Sequence, residues 1–107
     1  MLTERRKHKR FPHGGVVWFG ESAVTLTSGT VADVARFGLA FTCAAEEQRP
    51  QTGQRLFIQF ALYPDASHRF HDEPGTNRIG RVCRVEELPD ESYRVAVNLD
   101  QPLPGLH

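Results

Sequence analysis

The 107-residue sequence predicts a small all-β protein, a six-stranded antiparallel barrel. Three observations carry that expectation. Short β-rich runs recur along the chain with 9 glycines and 7 prolines falling mostly between them. One run alternates strictly with period two: Leu56, Ile58, Phe60 and Leu62 share one face, and Phe57, Gln59, Ala61 and Tyr63 the other. No stretch offers a helix of useful length. Ala44, Ala45, Glu46, Glu47 and Gln48 have the propensity, but Pro50 stops them after about a turn.

The runs are read in chain order. Val16, Val17, Trp18 and Phe19 form the first, bracketed by Gly14, Gly15 and Gly20, and their uniform apolarity predicts a core strand. Thr30 to Val34 form the second, entered through Ser28 and Gly29. Leu39 to Cys43 form the third, entered through Gly38, and the alternating segment from Leu56 is the fourth. A fifth spans about residues 78–87 with imperfect alternation. The sixth places Val95, Val97 and Leu99 on one face and Arg94, Ala96 and Asn98 on the other. Two connections stand out. Residues 64–77 make a long loop of the kind that is either functional or a loose hairpin tip. Residues 34–38 make a tight turn that follows Asp33 and ends on Gly38. Pro102 and Pro104 exclude a C-terminal helix. The organisation is therefore a basic arm over residues 1–13, a barrel over 14–100 and a Pro-rich tail over 101–107.

Composition narrows the function. Thirteen Lys and Arg balance 13 Asp and Glu, yet the balance is an average of unlike parts. Residues 1–10 hold five basic side chains against Glu4, a net +4, while the remainder holds eight against twelve, a net −4. A basic arm on an acidic body implies an anionic partner. The length suits one domain of roughly 100–150 residues and is short for a two-domain enzyme. No apolar run approaches the roughly 18–20 residues that span a bilayer, and Met1 and Leu2 lead straight into charge rather than a signal h-region. A cytoplasmic location without membrane insertion follows as the expectation. Cys43 and Cys83, far apart and without CxxC spacing, read as reduced core residues.

The candidate chemistry lies in two segments. Arg5, Arg6, Lys7, His8, Lys9 and Arg10 form an arginine-rich arm whose planar forks suit phosphate, the O6/N7 edge of guanine, or stacking on a base. Arg6 and Arg10 are spaced to converge on one compact anion. Asp33 can only accept hydrogen bonds when ionised, which suits the adjacent N1–H and N2–H₂ donors of guanine; capping its own turn is the other reading. Gly38 allows either positive φ or close approach of a flat ligand.

Arg6-x-x-x-Arg10, followed by Asp33-x-Ala35-x-x-Gly38 between two strands, resembles the PilZ domain family. Gly80, Arg81, Val82, Cys83, Arg84 and Val85, then Tyr93 to Val97, look like that family's closing hairpin, so the likeness covers about residues 4–100. The resemblance implies a six-stranded barrel that binds cyclic di-GMP. By it, Arg5, Arg6 and Arg10 are the arm ligands, Asp33 takes the guanine donors, and Ala35, Arg36 and Gly38 complete the site. Ala35 stands where the family has serine. One lost neutral hydrogen bond is worth about 0.5–1.5 kcal/mol, a weakening of several-fold to tenfold. Arg36 is placed to offset it. The absent C-terminal helix leaves a barrel face bare or covered by the tail, which invites a protein partner or a homodimer.

The implied role is a receptor or adaptor without catalysis, whose arginine arm closes over the dinucleotide at the barrel mouth and changes a partner-binding surface. No cofactor is expected, and His68, His71 and Asp72 are too few ligands for a metal site. Two alternatives stand: a PilZ-like protein-interaction scaffold with weak or lost ligand binding, and a small barrel for single-stranded nucleic acid. The acidic body and the placement of Trp18 in a core strand argue against the second.

Overall fold

Alternation of apolar and polar side chains becomes alternation of inside and outside. In β5 (Arg55–Phe60), Leu56, Ile58 and Phe60 are buried, and in β7 (Tyr93–Leu99) so are Val95, Val97 and Leu99. The computed structural model describes residues 9–44, 49–61 and 76–104. Leu62 and Tyr63 of the alternating run, and residues 45–48 of the short helix-prone segment, lie outside the described residues. The other strands are β1 (Phe11–Pro12), β2 (Val16–Ser22), β3 (Thr25–Ala35), β4 (Gly38–Cys43) and β6 (Thr76–Glu87). No helix occurs among the described residues.

Every pairing is antiparallel, in the order β1-β3-β2-β5-β6-β7-β4, and β3 also pairs with β4. That last ladder closes six strands into a barrel, which removes the exposed edges a small sheet would otherwise present. The fold class read from sequence is thus the observed one, with β1 as an addition. Phe11 and Pro12 pair with Val34 and Asp33, along the part of β3 that β2 does not cover. The barrel interior is filled by Val17, Phe19, Val31, Val34, Leu39, Phe41, the three apolar residues of β5, Val82 and those of β7. Phe19 and Phe41 pack at its heart with ring centroids 4.5 Å apart and ring planes tilted by 36°. Gly29 lies inside β3 rather than before it, because the ring of Phe19 and the carbonyl of Thr42 occupy the space of a Cβ.

Two sequence expectations are corrected by this register. Trp18 is 46% exposed: it alternates with buried Val17 and Phe19 and so faces outward from β2, as does Val16. A uniformly apolar run hides that parity. Cys83 is exposed while Cys43 is buried, and both are free thiols. A register shift between Val82 and Arg84 lets Cys83 and Arg84 both oppose Ala96 on the outer face, where the Cys83 thiol donates to the Ala96 carbonyl at 3.3 Å.

The tail closes one end of the barrel. Leu103 is 1% exposed within the core cluster, and its N–H donates to the Arg36 carbonyl at 2.7 Å. Arg78 holds the strap in place, donating to the carbonyls of Gln101, Pro102 and Asn77. Leu103 therefore covers that end of the barrel. Leu106, also expected there, lies outside the described residues.

Candidate functional site

The Asp33 carboxylate sits on the outer face of β3 at an irregularity in the β3–β4 ladder. The register passes from Val31 opposite Phe41 to Asp33 opposite Ala40, with Ala32 left over. Such a bulge re-aims a side chain that strict alternation would place elsewhere. On its other side Asp33 pairs with Pro12 of β1. That pairing carries Arg10, the residue just before β1, alongside: its Nη1 donates to Asp33 Oδ1 at 2.6 Å. From β7, two strands away, Arg94 Nη2 donates to Asp33 Oδ2 at 3.0 Å. The route across β4 is open because Ala40 is small and opposes another alanine, Ala96. Side-chain exposures of 30% for Arg10, 36% for Arg94 and 19% for Asp33 place this triad at the surface but partly shielded from it.

The chain around Arg10 is tied down by backbone and side-chain bonds. The His13 N–H donates to the Ala32 carbonyl and that of Gly14 to the Val31 carbonyl. The His13 ring accepts from the Gly15 N–H at Nδ1, which leaves Nε2–H to donate to the Ala61 carbonyl at 2.7 Å. Its edge meets Phe60 with ring centroids 5.6 Å apart. Lys9 carries its ammonium 5.9 Å from the centroid of the Phe11 ring. Residues 9–13, read from sequence as the end of an arm, are thus bound along β3 and to the end of β5.

The remaining candidates divide between placed and undescribed. Ala35 pairs with Gly38 at the end of the β3–β4 hairpin and is buried. Arg36 is exposed in the turn, its guanidinium 5.5 Å from the centroid of the Phe37 ring, so its charge faces solvent on the side of the hairpin tip. Gly38 is not in the left-handed region, and a Cβ there would meet only the Val97 carbonyl at 3.6 Å. Positive φ is therefore not what glycine supplies at this position. Arg5 and Arg6 lie outside the described residues, as do His68, His71 and Asp72 and residues 64–75 of the long loop. Among the described residues no group of His, Cys, Asp and Glu could hold a metal ion, and no helix is long and apolar enough to cross a membrane.

Sequence reasoning missed Arg94. Its outward face on β7 was legible, but nothing in the order of residues says that β7 lies two strands from β3. Chemically the site is an anion-accepting surface with one carboxylate inside it: cations on both sides of Asp33, exposed Arg36 close by along the chain, and a floor of small side chains between β3 and β7.

No family model matches the sequence, and no curated protein does. Among solved structures the chain is similar to the Bacillus subtilis inhibitor of motility MotI/DgrA, with a TM-score of 0.71 at 17% identity. The match covers 96% of this chain and 46% of that one, so the chain spans about half the length of that protein and shares its barrel fold.

Proposed function

We propose that this chain is a cyclic di-GMP receptor that works as an adaptor, binding the dinucleotide between its arginine arm and the outer face of the barrel. The observation that carries the reading is the contact of Arg10 with Asp33 across 23 residues of sequence. These are the last residue of one motif and the first of the other in the PilZ resemblance, and one ligand would have to touch both. The likeness in fold to a motility inhibitor agrees with a regulatory rather than catalytic role. The reading takes a downstream protein as the recipient of the signal and the cytoplasm as its place.

Binding on this reading is an exchange of partners. Asp33 gives up Arg10 and accepts the N1–H and N2–H₂ donors of a guanine; Arg10 swings onto a phosphate or the O6/N7 edge of a base. Each charged group leaves one charge-assisted bond and gains another, so the swap costs little beyond ordering the ligand and the rest of the arm. Arg6, with Arg5, closes from the arm, and Arg36 supplies a cation where Ala35 lacks a hydroxyl. The surface over the arm is what differs between free and loaded protein, and that difference is the signal.

Calorimetry with cyclic di-GMP tests the proposal. Binding in the micromolar range or tighter is expected, weakened at least about tenfold in each of Arg6→Ala, Arg10→Ala and Asp33→Ala. Heat from single-stranded nucleic acid and none from the dinucleotide would reject it. A second reading has its own support. Both Asp33 oxygens are already engaged by arginines, as in a purely structural ion pair that fastens the arm for a protein-interaction scaffold. Silence toward both ligands selects that scaffold.

A further inference from the structure

The two arginines on Asp33 are held very differently. Arg94 is the second residue of β7, a strand laddered on one side to β4 and on the other to β6. Its own backbone partners are Thr42 and Glu86. Arg10 precedes a two-residue strand with a single neighbour, β3. Arg10 itself belongs to no ladder, whereas moving the backbone of Arg94 would open the ends of two. Arg94 also declines the simpler partner. Glu86 stands directly across the β6–β7 ladder, yet the Arg94 guanidinium reaches over β4 to Asp33.

We propose that Arg94 is a positioning residue for guanine recognition, holding Asp33 Oδ2 throughout while Oδ1 alone changes partner from Arg10 to the base. The inference rests on the cyclic di-GMP reading above. A carboxylate has about four lone-pair directions, so Oδ2 can keep Arg94 and still receive a second donor from the base edge. With Arg94 in place the carboxylate plane is fixed relative to β3. Two donors side by side, as on guanine, then meet two oxygens at a set angle; adenine, without that donor pair, does not. Without Arg94 the carboxylate is free to turn and to take Arg10 in a two-pronged grip, which is the common geometry of an arginine and a carboxylate. Ligand would then have to displace a stronger internal pair, and the angle that favours guanine would be lost.

The test compares cyclic di-GMP with cyclic di-AMP by calorimetry in wild type, Arg94→Gln and Glu86→Gln, with thermal melts to confirm that each variant folds. Arg94→Gln is expected to weaken cyclic di-GMP about tenfold or more and to narrow the preference over cyclic di-AMP by a similar factor. Glu86→Gln is expected to leave both unchanged. On the wild-type protein, side-chain NMR of the guanidinium N–H groups adds a readout that needs no variant. The Arg10 signals shift on adding cyclic di-GMP while those of Arg94 stay. Unaltered affinity and preference in Arg94→Gln, or an Arg94 signal that moves as far as that of Arg10, overturns the inference while leaving the receptor intact. Absence of cyclic di-GMP binding by wild type rejects the receptor reading itself, and the role of Arg94 with it.

Discussion

Replacing Asp33 with asparagine tests whether the triad is a real element of the free protein. The asparagine side chain would keep the shape and one acceptor oxygen but turn an amide N–H₂ toward the other guanidinium. One charge-assisted bond is lost, the second weakens to one with a neutral acceptor, and Arg10 and Arg94 are left as like charges close together. Hydrogen bonds to charged groups contribute about 1.5–3 kcal/mol when shielded, whereas exposed pairs contribute about 0–1. With Asp33 19% exposed and its partners 30% and 36%, the triad lies between those limits, and a loss of about 1–2 kcal/mol is expected. For a domain of this size each kcal/mol moves Tm by roughly 4–8 °C. Thermal unfolding followed by circular dichroism, without ligand, should therefore show Asp33→Asn melting about 4–16 °C below wild type. The gap should narrow in high salt, because the screening length falls from about 10 Å at 0.1 M to about 3 Å at 1 M. Combined with Arg94→Gln, the losses should not add, since each single change removes the same bond. Equal melting temperatures would show that the contacts contribute nothing, strict additivity would show that Asp33 and Arg94 are not coupled, and either would undo the partner-exchange reasoning.

Other consequences are independent of any ligand. Leu103→Ala empties a buried site at the barrel end and should cost about 2–5 kcal/mol, seen as a lower urea midpoint. A midpoint equal to wild type would place the tail outside the folded unit. Gly29→Ala puts a methyl 2.5 Å from the Thr42 carbonyl oxygen, so β3 must move away from β4 at a cost of about 1–3 kcal/mol in the same measurement. Burial pushes the Cys43 thiol up from its ordinary value, whereas Cys83 is exposed. Alkylation at mild alkaline pH followed by mass spectrometry should add one label, at Cys83, in native protein and two after unfolding. Because the Cys43 thiolate is disfavoured in the fold, stability should also decline as pH rises past the unfolded thiol range, about 8.5. A Cys83→Ser variant isolates Cys43 in that titration.

What could be read from sequence follows the physics of each signal. Period two over six residues of β5 and seven of β7 is long enough to assign both faces, and those faces are the observed ones. Phe11 and Pro12 carry no period at all, so β1 was invisible; it exists because β3, at eleven residues, is longer than β2 can cover. In β2 the sequence Val16, Val17, Trp18, Phe19 is apolar on both faces, and composition cannot reveal which pair turns outward. The outward pair removes one argument against a nucleic-acid reading, that Trp18 is core, and leaves the acidic body to carry it. Asp33 and Arg10 were legible as separate motifs. Their contact was not, because it depends on a bulge and a two-residue strand, and neither leaves a mark on composition.

The charge distribution acquires a different meaning once the contacts are known. A +4 arm facing a −4 body suggests a lid drawn in by diffuse attraction, free until an anion arrives. The structure instead fastens the last residues of that arm by backbone pairing, by the His13 ring and by one specific ion pair. A tethered segment has already lost the conformational freedom of residues 9–13, so binding there does not have to order them again. The same tether sets a threshold, for the ligand must replace the Arg10–Asp33 bond rather than fill an empty place. A neutral nucleoside offers Arg10 nothing in return, whereas a phosphate diester offers it a full substitute. The ion pair is thus a selectivity device as well as a fastener. It predicts that Arg10→Ala, while weakening cyclic di-GMP, will raise the relative affinity for guanosine, because Asp33 no longer has to be won from the arm. Competition calorimetry of guanosine against cyclic di-GMP on wild type and Arg10→Ala reads that ratio, and an unchanged ratio would mean that the pair imposes no threshold.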